Sequence, residues 1–122
     1  MSPKRGDRAA PPPGPEEWEI RFHTNDAAKG WEELCRQAPG NTRAAWTTMR
    51  TNPAPRVASP RHQRLHGSLA TGIAKGSMAK GQVLDHWQIE VTGGGRIWYL
   101  VDADRKILWI DYAGPGHPRQ TD

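Results

Sequence analysis

The stretch WQIEVTGGGRIWYLVD, Trp87 to Asp102, decides the fold. Trp87, Ile89 and Val91 alternate with Gln88, Glu90 and Thr92, and after three consecutive glycines the run RIWYLVD turns apolar again. A period of two marks a strand with one face on a core. Glycine inside a strand costs backbone entropy and packs nothing, so Gly93, Gly94 and Gly95 predict a turn or a close backbone approach. Downstream, ILWIDYA (Ile107 to Ala113) predicts a third strand, joined to the second by a tight turn over Ala103 to Lys106.

Working back from these strands, WEIRFHT places Trp18, Ile20 and Phe22 on one face and Glu19, Arg21 and His23 on the other, which predicts a first strand. From Asn25 or Asp26, either a good N-cap, Ala27, Ala28, Trp31, Leu34, Cys35 and Ala38 recur at three and four, the stripe of an amphipathic helix. Pro39 and Gly40 stop it. Asn41 or Thr42 then caps a shorter helix striped by Ala45, Trp46 and Met49, with Arg43 and Arg50 projecting together, and Asn52-Pro53 ends it. The segment from Thr51 to Gly81, punctuated by prolines and glycines, reads as a long loop pinned by Leu65 and Leu69. Each of the six predicted elements carries one tryptophan (Trp18, Trp31, Trp46, Trp87, Trp98, Trp109), a spacing better suited to core anchors than to base stacking. Residues 1–16, rich in proline and charge with almost nothing to bury, are expected to form a disordered extension, and residues 17–122 a single domain.

The formal net charge is +4 and the isoelectric point about 9.6, but the distribution says more than the total. No acidic residue falls between Leu34 and Leu84, whereas Arg36, Arg43, Arg50, Arg56, Arg61, Arg64, Lys75 and Lys80 all do. A one-signed half-chain implies a positive field and an anionic partner such as nucleic acid. The lone Cys35 excludes an intrachain disulfide and a cysteine-based zinc cluster, which suits a reducing compartment. No apolar run approaches the roughly 18 residues that span a bilayer, and no signal-peptide core is visible, so no membrane role and a cytoplasmic location are expected.

No phosphate-binding loop or dinucleotide fingerprint is present. His62 and His66 stand four apart in a Pro/Gly-flanked loop without carboxylates nearby, so no metal and no cofactor are expected. What remains is a set of arginines and histidines with little acid near them. That set suits attack of a ribose 2′-hydroxyl on its own 3′-phosphate, which needs a base, cations for the extra phosphate charge and an acid for the leaving oxygen.

The order strand, helix hairpin, basic loop, three strands, together with WQIEVTGGGRIWYLVD and the ending YAGPGHPRQT, resembles the RelE/ParE superfamily of bacterial toxins over about Trp18 to Thr121. Its most specific element is the Arg-aliphatic-x-Tyr run, here RIWY. The resemblance implies an α+β fold, with an N-terminal strand and helix hairpin packed on a small antiparallel sheet. It implies a ribosome-dependent, metal-independent mRNA endoribonuclease that inhibits translation and is held by a cognate antitoxin in a hetero-oligomer. Arg96 matches a family arginine and His117 a C-terminal histidine, the expected phosphate contact and general acid. Arg61, His62 and Arg64 occupy the place of the family's basic loop, and with Arg119 they are the expected RNA contacts. Glu90 stands where many members carry arginine, so it is either a base or part of a cross-strand ion pair, and Arg96 itself is either a phosphate clamp or the partner of Glu90 or Asp102. The C-terminal tyrosine common in the family is missing after His117. Two other readings stay open: a gyrase-inhibiting toxin of the ParE kind, and a basic RNA-binding protein without catalysis.

Overall fold

The computed structural model describes residues 4–9, 11–73 and 81–116. The chain runs β1 (Glu19–Phe22), α1 (Asn25–Gln37), α2 (Pro39–Thr51), β2 (His62–Arg64), a 3₁₀ turn (Gly67–Leu69), β3 (Thr71–Ile73), β4 (Val83–Glu90), β5 (Arg96–Asp102) and β6 (Ile107–Gly114). This is an α+β fold in which two helices cover one face of a six-stranded sheet of order β1-β6-β5-β4-β2, with β3 also on β4.

The sheet is mixed, which corrects the expectation of an antiparallel one. β4, β5 and β6 form an antiparallel meander, but β1 lies parallel to β6, with Ile20 opposite Leu108 and Phe22 opposite Ile110. Parallel neighbours need a long crossover, and here nearly the whole chain supplies it. Ile20, Phe22, Trp87, Ile89, Ile97, Tyr99, Leu108 and Ile110 meet Ala27, Ala28, Trp31, Leu34 and Met49 of the helices in the main core. The closest approach is at Gly30 of α1, where a Cβ would stand 1.6 Å from the carbonyl oxygen of Ala113 in β6. Only glycine lets the helix lie this near the strand.

Both helices begin earlier than their caps suggested. Thr24, not Asn25 or Asp26, caps α1 by accepting a hydrogen bond from the Ala27 N–H at 3.0 Å. Pro39 opens α2 rather than merely stopping α1, because proline at the first helical position gives up a donor that has no partner there anyway. Ala38 alone joins the two helices.

Three further expectations change. The region from Thr51 to Gly81 is not simply a loop: β2 and β3 pair antiparallel with the two halves of β4. Within the N-terminal segment read as disordered, residues 4–9 run beside β1, where Ala9 N–H donates to Ile20 O at 2.7 Å, Phe22 N–H to Asp7 O at 3.0 Å and Gly6 N–H to Phe22 O at 2.8 Å. Ala9 is buried in the main core, which gives this segment the apolar anchor that its composition hid. Of the tryptophans, Trp31, Trp87, Trp98 and Trp109 are buried, while Trp18 and Trp46 only pack against the core. Among the described residues no helix is long and apolar enough to cross a membrane.

Candidate functional site

Glu90 ends β4 and Arg96 opens β5, directly opposite in register, so both side chains leave the same face of the sheet. Arg96 Nη2 lies 3.4 Å from Glu90 Oε1. The other arm of the guanidinium folds back into the glycine turn: Nη1 donates to Thr92 O at 2.9 Å, to Gly95 O at 2.9 Å and to Gly93 O at 3.3 Å. The turn therefore wraps its carbonyls around the arginine, and the side chain is left 11% exposed. A Cβ on Gly95 would stand 2.8 Å from Thr92 Oγ1 and 3.3 Å from both Gly114 O and Leu34 Cδ2, so a side chain there has no room. Gly95 N–H in turn donates to Thr92 Oγ1 at 2.7 Å.

Arg61 reaches the same carboxylate from the opposite side, with Nε 3.8 Å from Glu90 Oε2, and its side chain is 82% exposed. Its backbone is anchored: Glu90 N–H donates to Arg61 O at 2.7 Å, and Arg61 and His62 N–H groups donate to Ser59 Oγ. Two guanidiniums thus flank one carboxylate at the end of the sheet, one locked and one able to swing.

His62 is half-buried and pairs in register with Ile89. Its Nε2 lies 2.5 Å from Tyr99 Oη and 3.1 Å from Pro53 O, and Tyr99 Oη donates to the same Pro53 carbonyl. Burial pushes the imidazole below the ordinary histidine value, opposed in part by the Pro53 hydrogen bond. Burial likewise pushes the Tyr99 hydroxyl far up, so it stays protonated. A cleft of about 350 Å³ opens beside these groups, with Asn41, Ala44 and Thr48 of α2 on one wall and Arg61, His62 and Glu90 on the other.

The other expected site residues lie elsewhere. Arg64 spends its guanidinium on Asp85 Oδ1 at 2.9 Å and on Ala70 O at 3.3 Å, away from Glu90. His117 and Arg119 lie outside the described residues. The chain leading toward them passes the glycine turn, since Pro115 O stands 3.2 Å from where a Gly94 Cβ would be. Arg50 does not project beside the exposed Arg43 as expected. Its side chain is 7% exposed, lies 3.0 Å from Glu17 Oε1 and stacks 4.9 Å above the Trp46 ring, because packing on an indole and pairing with an acid pull the stem inward.

Sequence reasoning missed two arrangements. Tyr99 was legible only as part of RIWY, although a buried strand tyrosine must find a partner for its hydroxyl. The second is on the sheet face away from the helices, where His86 is held between Leu69 O (Nδ1, 2.8 Å) and Asp111 (Nε2, 2.9 Å). Asp111 is the extra residue of a bulge between the Trp98–Tyr112 and Tyr99–Ile110 pairs, and a bulge re-aims a side chain without leaving a sequence signature. Among the described residues no group of His, Cys, Asp and Glu is arranged to hold a metal ion.

No protein-family model, curated protein or solved structure matches the chain.

Proposed function

We infer that the chain is a toxin of the RelE/ParE type, a ribosome-dependent mRNA endoribonuclease that works without a metal and is restrained by a cognate antitoxin. The observation that carries this reading is the cleft at one end of the sheet that Arg61, His62 and Glu90 line together, with Arg96 paired to Glu90. In-line attack by a 2′-hydroxyl needs a proton acceptor and fixed positive charge where the phosphate gains negative charge. Arg61, exposed and held beyond its backbone only by a 3.8 Å contact to Glu90, is the group available to a phosphate. Arg96 holds Glu90 in place from the neighbouring strand and keeps the local field positive. The family resemblance of RIWY and of the element order supports the same conclusion, and a chain that meets ribosomes works in the cytoplasm.

One observation favours a second reading, a basic RNA-binding protein without catalysis. Arg96, the residue expected to clamp the scissile phosphate, already gives its donors to the glycine turn and to Glu90.

Purified protein incubated with bacterial ribosomes programmed with a defined mRNA separates the readings. Cleavage on the ribosome, with new 5′ ends mapped by primer extension and undiminished by a chelator, is the expected result. Binding without new ends supports the second reading. DNA damage in induced cells, with intact mRNA, points instead to gyrase and overturns both.

A further inference from the structure

We propose that His62 is the proton acceptor of this site, with Nε2 committed to Tyr99 and the Pro53 carbonyl so that Nδ1 is the basic nitrogen. The proposal rests on the ribonuclease reading and names the base which that reading requires.

Proton bookkeeping fixes the tautomer. The Pro53 carbonyl can only accept. Tyr99 Oη gives its single proton to that carbonyl, so toward His62 it has only lone pairs left. Nε2 of His62 lies within reach of both oxygens, 2.5 Å from Oη and 3.1 Å from the carbonyl. Both of its neighbours are acceptors, so Nε2 carries the hydrogen and the neutral ring keeps its free lone pair on Nδ1. A buried oxygen behind the ring that selects the tautomer in this way is how proteins prepare an imidazole for acid-base work.

The ring is also fixed in position. It meets Trp87 edge-on, with centroids 5.7 Å apart and planes at 70°, and Tyr99 at 6.2 Å. Residues from β4, from β5 and from the loop after α2 therefore agree on one orientation. Burial holds the ring neutral near pH 7, the form that accepts a proton. Among the described residues, the ionisable groups at the site are Tyr99 and Arg96 on β5, Glu90 on β4 and Arg61 in the same turn, while α2 contributes only the uncharged Asn41, Ala44, Ala45 and Thr48 to the cleft.

In the reaction, the 2′-hydroxyl gives its proton to Nδ1 while O2′ bonds to phosphorus and the P–O5′ bond breaks. O5′ takes a proton from water, leaving a 2′,3′-cyclic phosphate and a 5′-hydroxyl end, and the imidazolium returns its proton to solvent. Arg61 faces the phosphate as its charge rises.

The test has one arm that needs no activity. Ring nitrogen shifts of ¹⁵N-histidine-labelled full-length protein report the tautomer of His62 and its titration, with His62→Gln assigning the signal. The expected result is the Nε2–H tautomer, titrating below the ordinary histidine pH. In the second arm, cleavage of mRNA on programmed ribosomes has an acid limb that coincides with this titration. His62→Gln lowers the rate by about a hundred-fold or more and abolishes the limb. Tyr99→Phe keeps the histidine but removes the hydroxyl; it mixes the tautomers and lowers the rate by less, and it decides the matter if His62→Gln does not fold. A folded His62→Gln that cuts at the parental rate, or an Nδ1–H tautomer in the parental protein, overturns the proposal and leaves the ribonuclease reading standing. A parental protein that cuts nothing overturns both, whatever its tautomer.

Discussion

Arg96 and Arg61 approach the same carboxylate, yet their surroundings are opposite. Around Arg96 three carbonyls of the turn accept from the guanidinium, Glu90 closes the ring and the side chain is nearly out of solvent. Around Arg61 only a long contact to Glu90 and a hydrogen-bonded backbone restrain an otherwise exposed chain. A guanidinium surrounded by fixed acceptors is part of the architecture, because releasing it would take from Thr92 O and Gly93 O their guanidinium donor and from Glu90 its buried partner. A guanidinium that gives up little on leaving its partner can take another anion. On the proposed function, binding at this end of the sheet therefore falls to Arg61, while Arg96 serves the turn.

That contrast breaks most sharply under substitution of Arg96. Arg96→Ala leaves Glu90 with only the long contact to Arg61 and removes the donor to Thr92 O and Gly93 O, and the expected loss is about 3 kcal/mol of unfolding free energy by urea denaturation. Arg96→Lys keeps a charge but not the fork, and falls between alanine and the parent. If alanine costs nothing, the turn does not depend on the arginine and Arg96 is available to ligand after all.

A smaller effect separates the glycines from one another. Gly95→Ala pushes a methyl group into Thr92, Gly114 and Leu34, with an expected cost of about 1–3 kcal/mol. Gly93→Ala meets nothing within 4 Å and is expected to change stability by less than about 0.5 kcal/mol. Equal thermal midpoints for the two variants would show that the turn is loose throughout.

His62 adds a pH dependence to the edge that carries Arg61. Its folded-state pKa lies below the unfolded value, so the unfolded chain binds the proton first as pH falls. The stabilisation is complete above the ordinary histidine range and is lost as pH drops through it toward the folded pKa. Urea titrations from about pH 7.5 to about pH 5 are expected to show a decline that His62→Gln reduces. A slope unchanged by that substitution assigns the decline to other groups.

The smallest effect on stability falls on Arg61. Arg61→Ala is expected to leave the unfolding free energy within about 0.5 kcal/mol. RNA binding should nevertheless weaken, and the slope of log K against log salt should fall by about one for each phosphate that Arg61 neutralises. A parental salt slope in the variant removes Arg61 from the interface.

How much of this was legible depended on how local each cause is. The alternation of Trp87, Ile89 and Val91, the apolar runs after Gly95 and Lys106, and the stripe of α1 are written in neighbouring residues, and those elements are present, although β4 starts at Val83, ahead of the alternation, and ends at Glu90. β2 and β3 are three-residue strands without an apolar period, formed only because β4 offers an edge to each. The parallel pairing of β1 with β6 also has no local sign. At the site, the Glu90–Arg96 pair was open to inspection once the hairpin was read. The link from His62 to Tyr99 and Pro53 was not, since it joins three segments that only the finished fold brings together.

The pairing of residues 4–9 with β1 carries a consequence for the order of synthesis. β1 emerges early, but its parallel neighbour β6 is the last strand made among the described residues, so one edge of β1 must wait for almost the entire chain. Pairings this distant in sequence form late and slow the folding of the domain. The residues just ahead of β1 are available at once and take the opposite edge through short-range hydrogen bonds. These bonds are local enough to form before β6 exists, and would then cover one edge of β1 at the stage when bare strand edges are most prone to misassociate.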